Sequence, residues 1–372
     1  MGHFSVKITG LPGSLLSGNQ HVTALLSPFA GKLLDQLSMK LLMLTGSLAL
    51  VAGFICLSFA TAFSHVLISY ALLIAPANVL IGPLAASVLL SRWFDADRGR
   101  ALGIAAIGIS LGGFAFPPLI QSLIDYAGWR SAVQILAAIA FVFTIGACLL
   151  VIDRRANSVS SIDASAEGDT IMPTGSVLTH REFWLMTMVF GVLLTGMMGL
   201  VTNMVPLARD RGISLPQATL LISALSLGSL GGKIIFAAIA DKAGARLILL
   251  FGVSGFFLGM ACFVYAQQAF WMMAFGAALV GFTNGGAVPL QAIMAARTFG
   301  LSNVGRVVGL LNVTIVLAGL AVPPAFGMIY DRTGSYNAAL FTYMILAVGA
   351  LMAIGAMRKA PNDGGVPSLS TA

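Results

Sequence analysis

One lysine lies inside a long apolar run of this sequence. Lys233 belongs to the stretch LSLGSLGGKIIFAAIAD and precedes Asp241 by eight residues. On an α-helix that separation is about 12 Å, at 1.5 Å per residue, so the lysine lies well within the run. No aspartate or glutamate lies in the middle of any apolar run of the sequence. We therefore expect an anionic ligand at Lys233, a partner on another segment, or an amine that extends along its four-carbon stem to the end of the run.

Uncharged polar residues are the other candidates for ligand contacts, because a polar group without a hydrogen-bond partner is costly in apolar surroundings. One glutamine and four asparagines form this set: Gln121, Asn78, Asn203, Asn284 and Asn312. His21 is a candidate for carrying a proton, since histidine changes charge near neutral pH. Asn19 and Gln20 precede it, so a structural hydrogen-bond cluster is the alternative there. For Asn78 and Asn284 the alternative is a hydrogen bond that bridges helices.

The composition assigns the chain to a class. Of its 372 residues 58% are hydrophobic and only 9% are charged, and the mean hydropathy is +0.96. These are too few charges to cover a soluble protein of this size. A β-barrel is excluded as well, because its segments would be about ten residues long with alternating polarity. The sequence therefore predicts an all-α integral membrane protein.

Eleven apolar runs have the length of a membrane-spanning helix, which takes about 20 residues to cross the hydrocarbon layer. They are predicted at 9–34, 40–62, 67–91, 101–123, 132–152, 184–207, 215–239, 247–266, 270–295, 306–329 and 336–357.

Basic residues in the joins between these runs predict the orientation. When the joins are assigned alternately to two sides, most lysines and arginines fall on one side, which the positive-inside rule places in the cytoplasm together with the C-terminus. The expected location is the cell membrane, inner or plasma, with multiple crossings. The net charge of +7 then reflects topology, and no nucleic acid partner is expected without a basic soluble domain. The loop residues of that side, which we expect to form an inner gate, are Asp35, Lys40, Arg92, Arg98, Arg100, Asp241, Lys242, Arg246 and Arg306.

The chain repeats itself at an offset of 206 residues, the distance from Asp35 to Asp241. The same offset relates residues that bend helices or end them: Asn78 and Asn284, Pro83 and Pro289, Arg100 and Arg306, Pro117 and Pro323, Pro118 and Pro324, Asp125 and Asp331, and Gly128 and Gly334. Agreement of so many such residues at one offset indicates two homologous halves.

The repeat predicts the domains. We expect a first bundle of five helices at 1–152, a polar cytoplasmic linker at 153–182, a second bundle of six helices at 183–359 and a cytoplasmic tail at 360–372. The run 184–207 has no counterpart in the first half, so an ancestral plan of six plus six helices is expected here as five plus six. Either the first helix is absent or the start is misassigned.

Two halves of this kind, joined by a linker, resemble the major facilitator superfamily. That family carries a motif Gly-x-x-x-Asp-Arg-x-Gly-x-Arg/Lys after the second helix of each half. The second half has AAIADKAGAR, which keeps Asp241, Lys242 and Arg246, and the first half has the more divergent GKLLDQLSMK. The stretch RWFDADRGRALGIAAIGISLGG is similar to the junction of the fourth and fifth helices in the monocarboxylate and oxalate-formate branch.

The resemblance implies a function. In that branch a basic residue of the eighth helix is taken to contact the substrate carboxylate, and Lys233 stands at this position. Lysine lacks the bidentate fork of arginine. The expectation is a monomeric secondary active transporter of a small organic anion, with a monocarboxylate as the leading candidate. It is expected to work by alternating access, as proton symport or anion exchange.

Other classes of protein remain as alternatives. An exporter of amphipathic compounds would be favoured by a broad cavity with Lys233 facing away from it. A truncated, non-transporting remnant or a sensor is the third candidate. An enzyme is not expected, because no nucleophile and base, metal-ligand set or phosphate loop is visible in the sequence, and no cofactor is expected either.

Overall fold

The computed structural model describes residues 38–82, 85, 86, 89, 90, 93, 98–150, 173–239, 244–300 and 303–357. The regular secondary structure in these ranges is all helix, with short turns and irregular residues between the helices and without a strand. Nine helices of this described part are long and apolar enough to cross a membrane. The predicted all-α membrane fold is therefore confirmed, while the predicted run at 9–34 lies outside the described residues.

The helices of the first half include two π-helical turns. Their bounds are α1 (Met39–Ser58), α2 (Phe63–Ser69), the π-helical Tyr70–Ile74, α3 (Ala75–Ile81), α4 (Arg98–Ala140), the π-helical Phe141–Ile145 and α5 (Gly146–Leu150).

The second half begins with a short helix and continues with seven longer ones. Their bounds are α6 (Thr174–Thr179), α7 (Arg181–Asp210), α8 (Leu215–Ile239), α9 (Ala245–Tyr265), α10 (Phe270–Gly285), α11 (Ala287–Phe299), α12 (Val304–Thr333) and α13 (Asn337–Ala356).

Helix α4 differs from the sequence prediction, which separated two runs at 101–123 and 132–152. The structure has helical backbone between them, and only Gly128 departs from it, with φ 78° and ψ 161°. A helix of 43 residues would extend about 65 Å at 1.5 Å per residue, which is far more than one crossing needs. Glycine adopts a positive φ without a steric penalty because it has no Cβ. The turn at Gly128 therefore divides the segment into two helices without the predicted loop.

The repeat is visible in the local geometry. Gly334, at the offset of 206 residues from Gly128, also has a positive φ, 67°, and ends α12. Asn78 donates from Nδ2 to the Ile74 carbonyl at 3.1 Å, and Asn284 donates in the same way to the carbonyl four residues before it, at 3.0 Å. The paired residues thus have matching roles in both halves.

The chain forms two compact units. Unit 1 comprises Met1–Ile109 and Phe116–Val159, and unit 2 comprises Ser110–Ala115 and Ser160–Ala372. A short stretch of α4 therefore belongs to unit 2. The core of unit 2 is built from α7 to α13 around buried aromatic rings such as those of Phe190 and Phe256.

Helices α8 and α10 of unit 2 pack backbone against backbone. Each contributes two glycines that are four residues apart, Gly228 and Gly232 on α8 and Gly281 and Gly285 on α10. A Cβ added at any of the four would overlap main-chain atoms of the other helix, for example the Phe282 carbonyl in the case of Gly232. Small residues at this spacing allow the close approach that drives helix association in membranes.

Arginine side chains contact the ends of two equivalent helices, α1 and α9, whose first residues differ by the offset of the repeat. In unit 1, Arg130 donates to the Ala60 carbonyl just beyond α1 at 2.9 Å. In unit 2, Arg211 donates to the Phe263 carbonyl near the end of α9 and, at 2.6 Å, to Asn337 Oδ1 at the start of α13. A cation is favourable at a helix C-terminus, where the last carbonyls have no intrahelical donor. Burial lowers the pKa of Arg211 from its usual value, and Asp210 partly opposes this shift.

A tyrosine pair lies near Arg211. The rings of Tyr330 and Tyr336 stack with their centres 4.5 Å apart, and the Tyr330 hydroxyl donates to Asp210 at 2.8 Å. Burial raises the pKa of Tyr336 to about 12, so its hydroxyl is neutral at physiological pH. Together these contacts join the ends of α7, α9, α12 and α13 at one end of unit 2.

The glycine contact leads to a first prediction. Gly232→Ala should lower the melting temperature of the detergent-solubilised protein, because α8 and α10 must separate to admit a methyl group and overpacking of this kind costs about 1–3 kcal/mol. The matched control is Gly252→Ala on α9, where an added Cβ would meet nothing within 4 Å. Alanine is the better helix former by about 1 kcal/mol, so the control should melt at the wild-type temperature or above. Equal melting of both variants would contradict the backbone contact.

Candidate functional site

Lys233 lies on α8 and is half-buried. Its Nζ donates a hydrogen bond of 2.8 Å to the hydroxyl of Ser110 on α4. Ser110 is only 4% exposed. The contact joins residues that are 123 positions apart in the chain, and both belong to unit 2. The structure thus places Lys233 on an apolar helix, near the end of the candidate span Leu215–Phe236, and next to a hydroxyl that the sequence prediction did not include.

Two serines of the same α8 face contact the same stretch of α4. Ser223 donates to the Phe114 carbonyl at 2.7 Å, and the hydroxyl of Ser226 lies against Gly113. Residues 223, 226 and 233 fall on one side of a helix with 3.6 residues per turn. Ser110–Ala115 is therefore anchored to the face of α8 that carries the lysine.

Proline explains why a carbonyl of α4 accepts the Ser223 hydroxyl. A residue four positions after Phe114 would normally donate its N–H to that carbonyl, but this residue is Pro118, which has none. A buried carbonyl without a donor is costly, and Ser223 supplies the donor from α8. The sequence signal was the Pro117–Pro118 pair, which indicates free carbonyls one turn earlier without identifying their partner.

The buried amides of the candidate set bond within their own helices. Asn203 donates to the Gly199 carbonyl at 3.0 Å and to its neighbour Thr202 at 3.1 Å. Gln121 donates to Asp125 at 2.8 Å, one turn further along α4. Asn284 bonds the carbonyl four residues before it, and its Oδ1 has no hydrogen-bond partner among the described residues. No bond among these residues joins one of these amides to Lys233.

Asn78 and Asn312 lie on the surfaces of their units. Both side chains are exposed, although each belongs to a membrane-spanning helix. Asn78 donates only to the carbonyl of its own previous turn among the described contacts. Exposed amides at this depth are costly in lipid, and polar residues of spans commonly face the interior or an aqueous path.

The structure describes some of the residues that were predicted to lie in cytoplasmic loops. Arg246 donates to the Gly355 carbonyl at 2.8 Å, at the last turn of α13, while Lys40 and Arg306 are exposed near the starts of α1 and α12. Arg98 and Arg100 belong to the first turn of α4. The remaining candidates lie outside the described residues; they are His21, Asp35, Arg92, Asp241 and Lys242.

Gln291 is a polar core residue that the sequence prediction passed over. Its side chain is 0% exposed, and neither amide atom has a hydrogen-bond partner among the described residues. A second such feature is the Tyr343 hydroxyl, which donates to Thr195 at 3.1 Å between α13 and α7. Both lie within the apolar core of unit 2. Among the described residues, no group of three or more His, Cys, Asp or Glu side chains could hold a metal ion.

Nine long apolar helices in the described part of the chain are typical of a multi-pass membrane protein. The model of the major facilitator superfamily matches residues 3–210 and 192–370, so nearly the whole chain is covered by two matches. The chain belongs to this superfamily. It is a membrane transporter of small organic solutes.

Curated relatives support the similarity to the monocarboxylate branch. The chain is 27% identical to monocarboxylate transporter 13 of Rattus norvegicus over 353 residues, which are 93% of this chain and 78% of that protein. It is 26% identical to monocarboxylate transporter 11 of Homo sapiens over 352 residues, 91% of this chain and 73% of that protein. The MFS-type transporter pytF of Aspergillus terreus is 31% identical over 223 residues, 58% of this chain and 71% of that protein.

The proline-freed carbonyl leads to a second prediction. Ser223→Ala should destabilise the protein by about 1–3 kcal/mol, because the Phe114 carbonyl loses its donor. In a Pro118→Ala background the same substitution should cost less than half as much, since an alanine at position 118 would bring back the backbone N–H. Thermal melting of the four proteins measures the cycle; 1 kcal/mol corresponds to about 2–4 °C in a domain of 150–250 residues.

Thr314→Val serves as the control for Ser223→Ala. It also removes a hydroxyl that donates to a carbonyl, that of Leu310 at 2.9 Å, but the backbone N–H of residue 314 remains available to that carbonyl. Its melting temperature should stay close to that of the wild type. Additive costs of Ser223→Ala and Pro118→Ala would disprove the coupling.

Proposed function

We propose that this protein is a secondary transporter of a small organic anion, a monocarboxylate in the first instance, and that Lys233 binds its carboxylate. The observation that supports the proposal is the half-buried Lys233 ammonium of α8, held by Ser110 inside a span. Relatives named monocarboxylate transporters, similar over about nine-tenths of this chain, are consistent with such a substrate.

Electrostatics favour an anion at this position. Ser110 is a neutral acceptor, so its hydrogen bond orients the ammonium without neutralising it. An ionised group within a span is costly and usually marks a substrate or ion pathway. Attraction between unit charges at 4 Å rises from about 1 kcal/mol in water to about 4 kcal/mol near a protein surface. A carboxylate that reaches Lys233 is therefore held more strongly than in bulk solvent.

The transport cycle that fits this proposal is alternating access between two bundles, at 1–152 and 183–359, with the linker 153–182, the tail 360–372 and the basic loops in the cytoplasm of the cell. The exposed amides of Asn78 and Asn312 are proposed to face the substrate path, as polar residues of spans commonly do. Asn203, Asn284 and Gln121 contribute to that path less directly, since each amide already donates within its own helix. The transporter is proposed to work as a monomer.

Substitution of Lys233 tests the anion site. Purified protein in liposomes is assayed with labelled acetate, pyruvate and lactate, and the acid that the wild type takes up fastest becomes the probe. Lys233→Gln should reduce uptake at low probe concentration by about tenfold or more, because hydrogen bonds to charged groups contribute about 1.5–3 kcal/mol. Lys233→Arg should keep uptake, since it retains the charge and its planar fork can bind both carboxylate oxygens.

The control is Arg209→Gln, which removes an exposed positive charge at the end of α7 and should leave uptake within twofold of the wild type. Unchanged uptake in Lys233→Gln would refute the anion site. Uptake of none of the three acids by the wild type would refute the monocarboxylate assignment.

The two coupling modes give opposite results in loaded liposomes. Proton symport predicts that an inside-alkaline pH gradient accelerates uptake and that His21→Gln removes this acceleration, because histidine is the side chain that titrates near neutral pH. Anion exchange predicts instead that an internal unlabelled monocarboxylate accelerates uptake at equal pH on both sides. The ratio of the two accelerations in wild type and His21→Gln distinguishes the mechanisms.

A further inference from the structure

Helix α7 carries a row of exposed side chains that begins with a charge and continues with apolar residues. Arg181, Trp184 and Met188 follow one another at intervals of three and four residues, which places them on one side of the helix. All three side chains are exposed. We call these three residues the α7 row. It presents a cation at the end of the helix and apolar surface directly beside it.

The length of α7 places Arg181 at the level of the lipid headgroups. The helix has 30 residues and is about 45 Å long at 1.5 Å per residue. The hydrocarbon layer of a bilayer is about 30 Å thick, and the bilayer is about 40–45 Å thick with its headgroup regions. Both ends of α7 therefore reach the headgroups. Trp184 lies about 4.5 Å further in than Arg181, in the interfacial layer where tryptophan is enriched.

The indole of Trp184 is held in place by protein contacts. Its Nε1 donates to the Leu178 carbonyl at 2.8 Å, and its ring meets the ring of Phe183 edge to face, with 5.5 Å between the ring centres. The side chain is nevertheless 52% exposed. Because its only N–H is already bonded, the exposed part of the indole offers apolar surface to a ligand.

The apolar surface of the α7 row continues onto α13. A Cβ at Gly349 would overlap Met188 Cε, so the methionine methyl lies over a residue without a side chain. Val348 and Met352, on either side of that glycine in the sequence, are both exposed. An acyl chain that follows the α7 row inward from Arg181 therefore meets apolar side chains from two helices.

The end of unit 2 that carries Arg181 is basic. Its described acidic and basic residues are four arginines and one glutamate, namely Arg181, Arg246, Arg297, Arg306 and Glu182. The rings of His180 and Phe299 meet edge to face at 5.7 Å, which brings the start of α7 next to the end of α11. The opposite end of the unit is mixed in charge, with Arg209, Arg211, Arg332, Asp210 and Asp331.

Arg181 supplies the donors for a ligand at this end. It makes no hydrogen bond or ion pair with another described residue, and a guanidinium carries five N–H donors in a planar fork that matches the oxygens of a phosphate. Arg297 and Arg306 have interactions of their own, so they contribute positive charge rather than donors. That charge attracts a lipid with a net negative headgroup and disfavours the quaternary amine of a zwitterionic one.

We propose that the α7 row binds an anionic phospholipid, with the Arg181 guanidinium on the headgroup phosphate and an acyl chain along Trp184 and Met188. This inference does not depend on the anion site at Lys233. The charge at the end of unit 2 selects the headgroup, and the apolar residues of α7 and α13 hold the chain. The α7 row thereby distinguishes one class of lipid from the bulk of the bilayer.

Quenching of tryptophan fluorescence by brominated lipids measures contact at Trp184 directly. The protein and its Trp184→Phe variant are reconstituted in phosphatidylcholine bilayers with increasing fractions of brominated phosphatidylglycerol or brominated phosphatidylcholine. The difference between the two proteins isolates the signal of Trp184. Phosphatidylglycerol should reach half-maximal quenching at an about fivefold lower fraction, which is the contribution of one arginine near an anionic headgroup.

Substitution of Arg181 tests the headgroup contact, and each variant is paired with its own Trp184→Phe version. Arg181→Gln should abolish the preference, so that both lipids quench Trp184 at the same fraction. Arg181→Lys keeps the charge and should keep the preference within twofold. The matched control is Arg209→Gln, which removes an exposed arginine from the other end of the same helix and should leave the preference unchanged. Melting temperatures of all variants should equal that of the wild type.

Four results would overturn the proposal. Equal quenching by both lipids in the wild type would show that the α7 row does not select a headgroup, and quenching by neither would show that protein covers it. A preference that survives in Arg181→Gln, or that Arg209→Gln loses equally, would remove Arg181 from the site. Excess inorganic phosphate should leave the quenching unchanged, because it cannot occupy the apolar surface; loss of the preference in its presence would assign the site to free phosphate.

Discussion

The backbone contact between α8 and α10 is the constraint on which the candidate site depends. Four glycines bring the two helices so close that a Cβ at any of them would overlap main-chain atoms. Such a contact permits little rotation of α8 about its axis, because any rotation would drive side chains into the opposing backbone. It therefore fixes which face of α8 turns away from α10. Ser223 is on that face, Lys233 borders the contact with α10, and both meet Ser110–Ala115.

Several buried polar groups of unit 2 bond to other groups of the protein, because apolar surroundings offer them no water. Where a backbone acceptor is freed by Pro118, a serine from another helix fills it. Where an amide is buried, as in Asn203, it bonds the previous turn of its own helix. Lys233 differs in kind, since it carries a full charge and the Ser110 hydroxyl that orients it carries none. A charged group within a span commonly marks a substrate or ion pathway, which is why the carboxylate site is proposed at Lys233.

The sequence predicted the class, the helices and the charged residue, but not its surroundings. Apolar runs near 20 residues identify spans because membrane thickness sets their length, and Lys233 is conspicuous in one of them. The contact with Ser110 spans 123 positions, and no periodicity encodes which helices will be neighbours. The prediction of a loop between 123 and 132 was wrong for a local reason. Gly128 alone turns the chain, in a positive-φ conformation, and the backbone on both sides of it is helical. The asparagines were selected for their cost in lipid, and that same cost makes the buried ones bond their own helices.

The arginines that meet the ends of α1 and α9 carry a consequence for how the two halves diverged. Arg130 and Arg211 serve equivalent helices, yet they are not equivalent residues, because the position 206 residues after Arg130 holds Tyr336. Each half has reached the same electrostatic balance from a different place in its sequence. Comparison of residue identities between the halves therefore underestimates their kinship. Both halves share carbonyls at the end of this helix that need a nearby cation. The position of the arginine that supplies the cation differs between the halves.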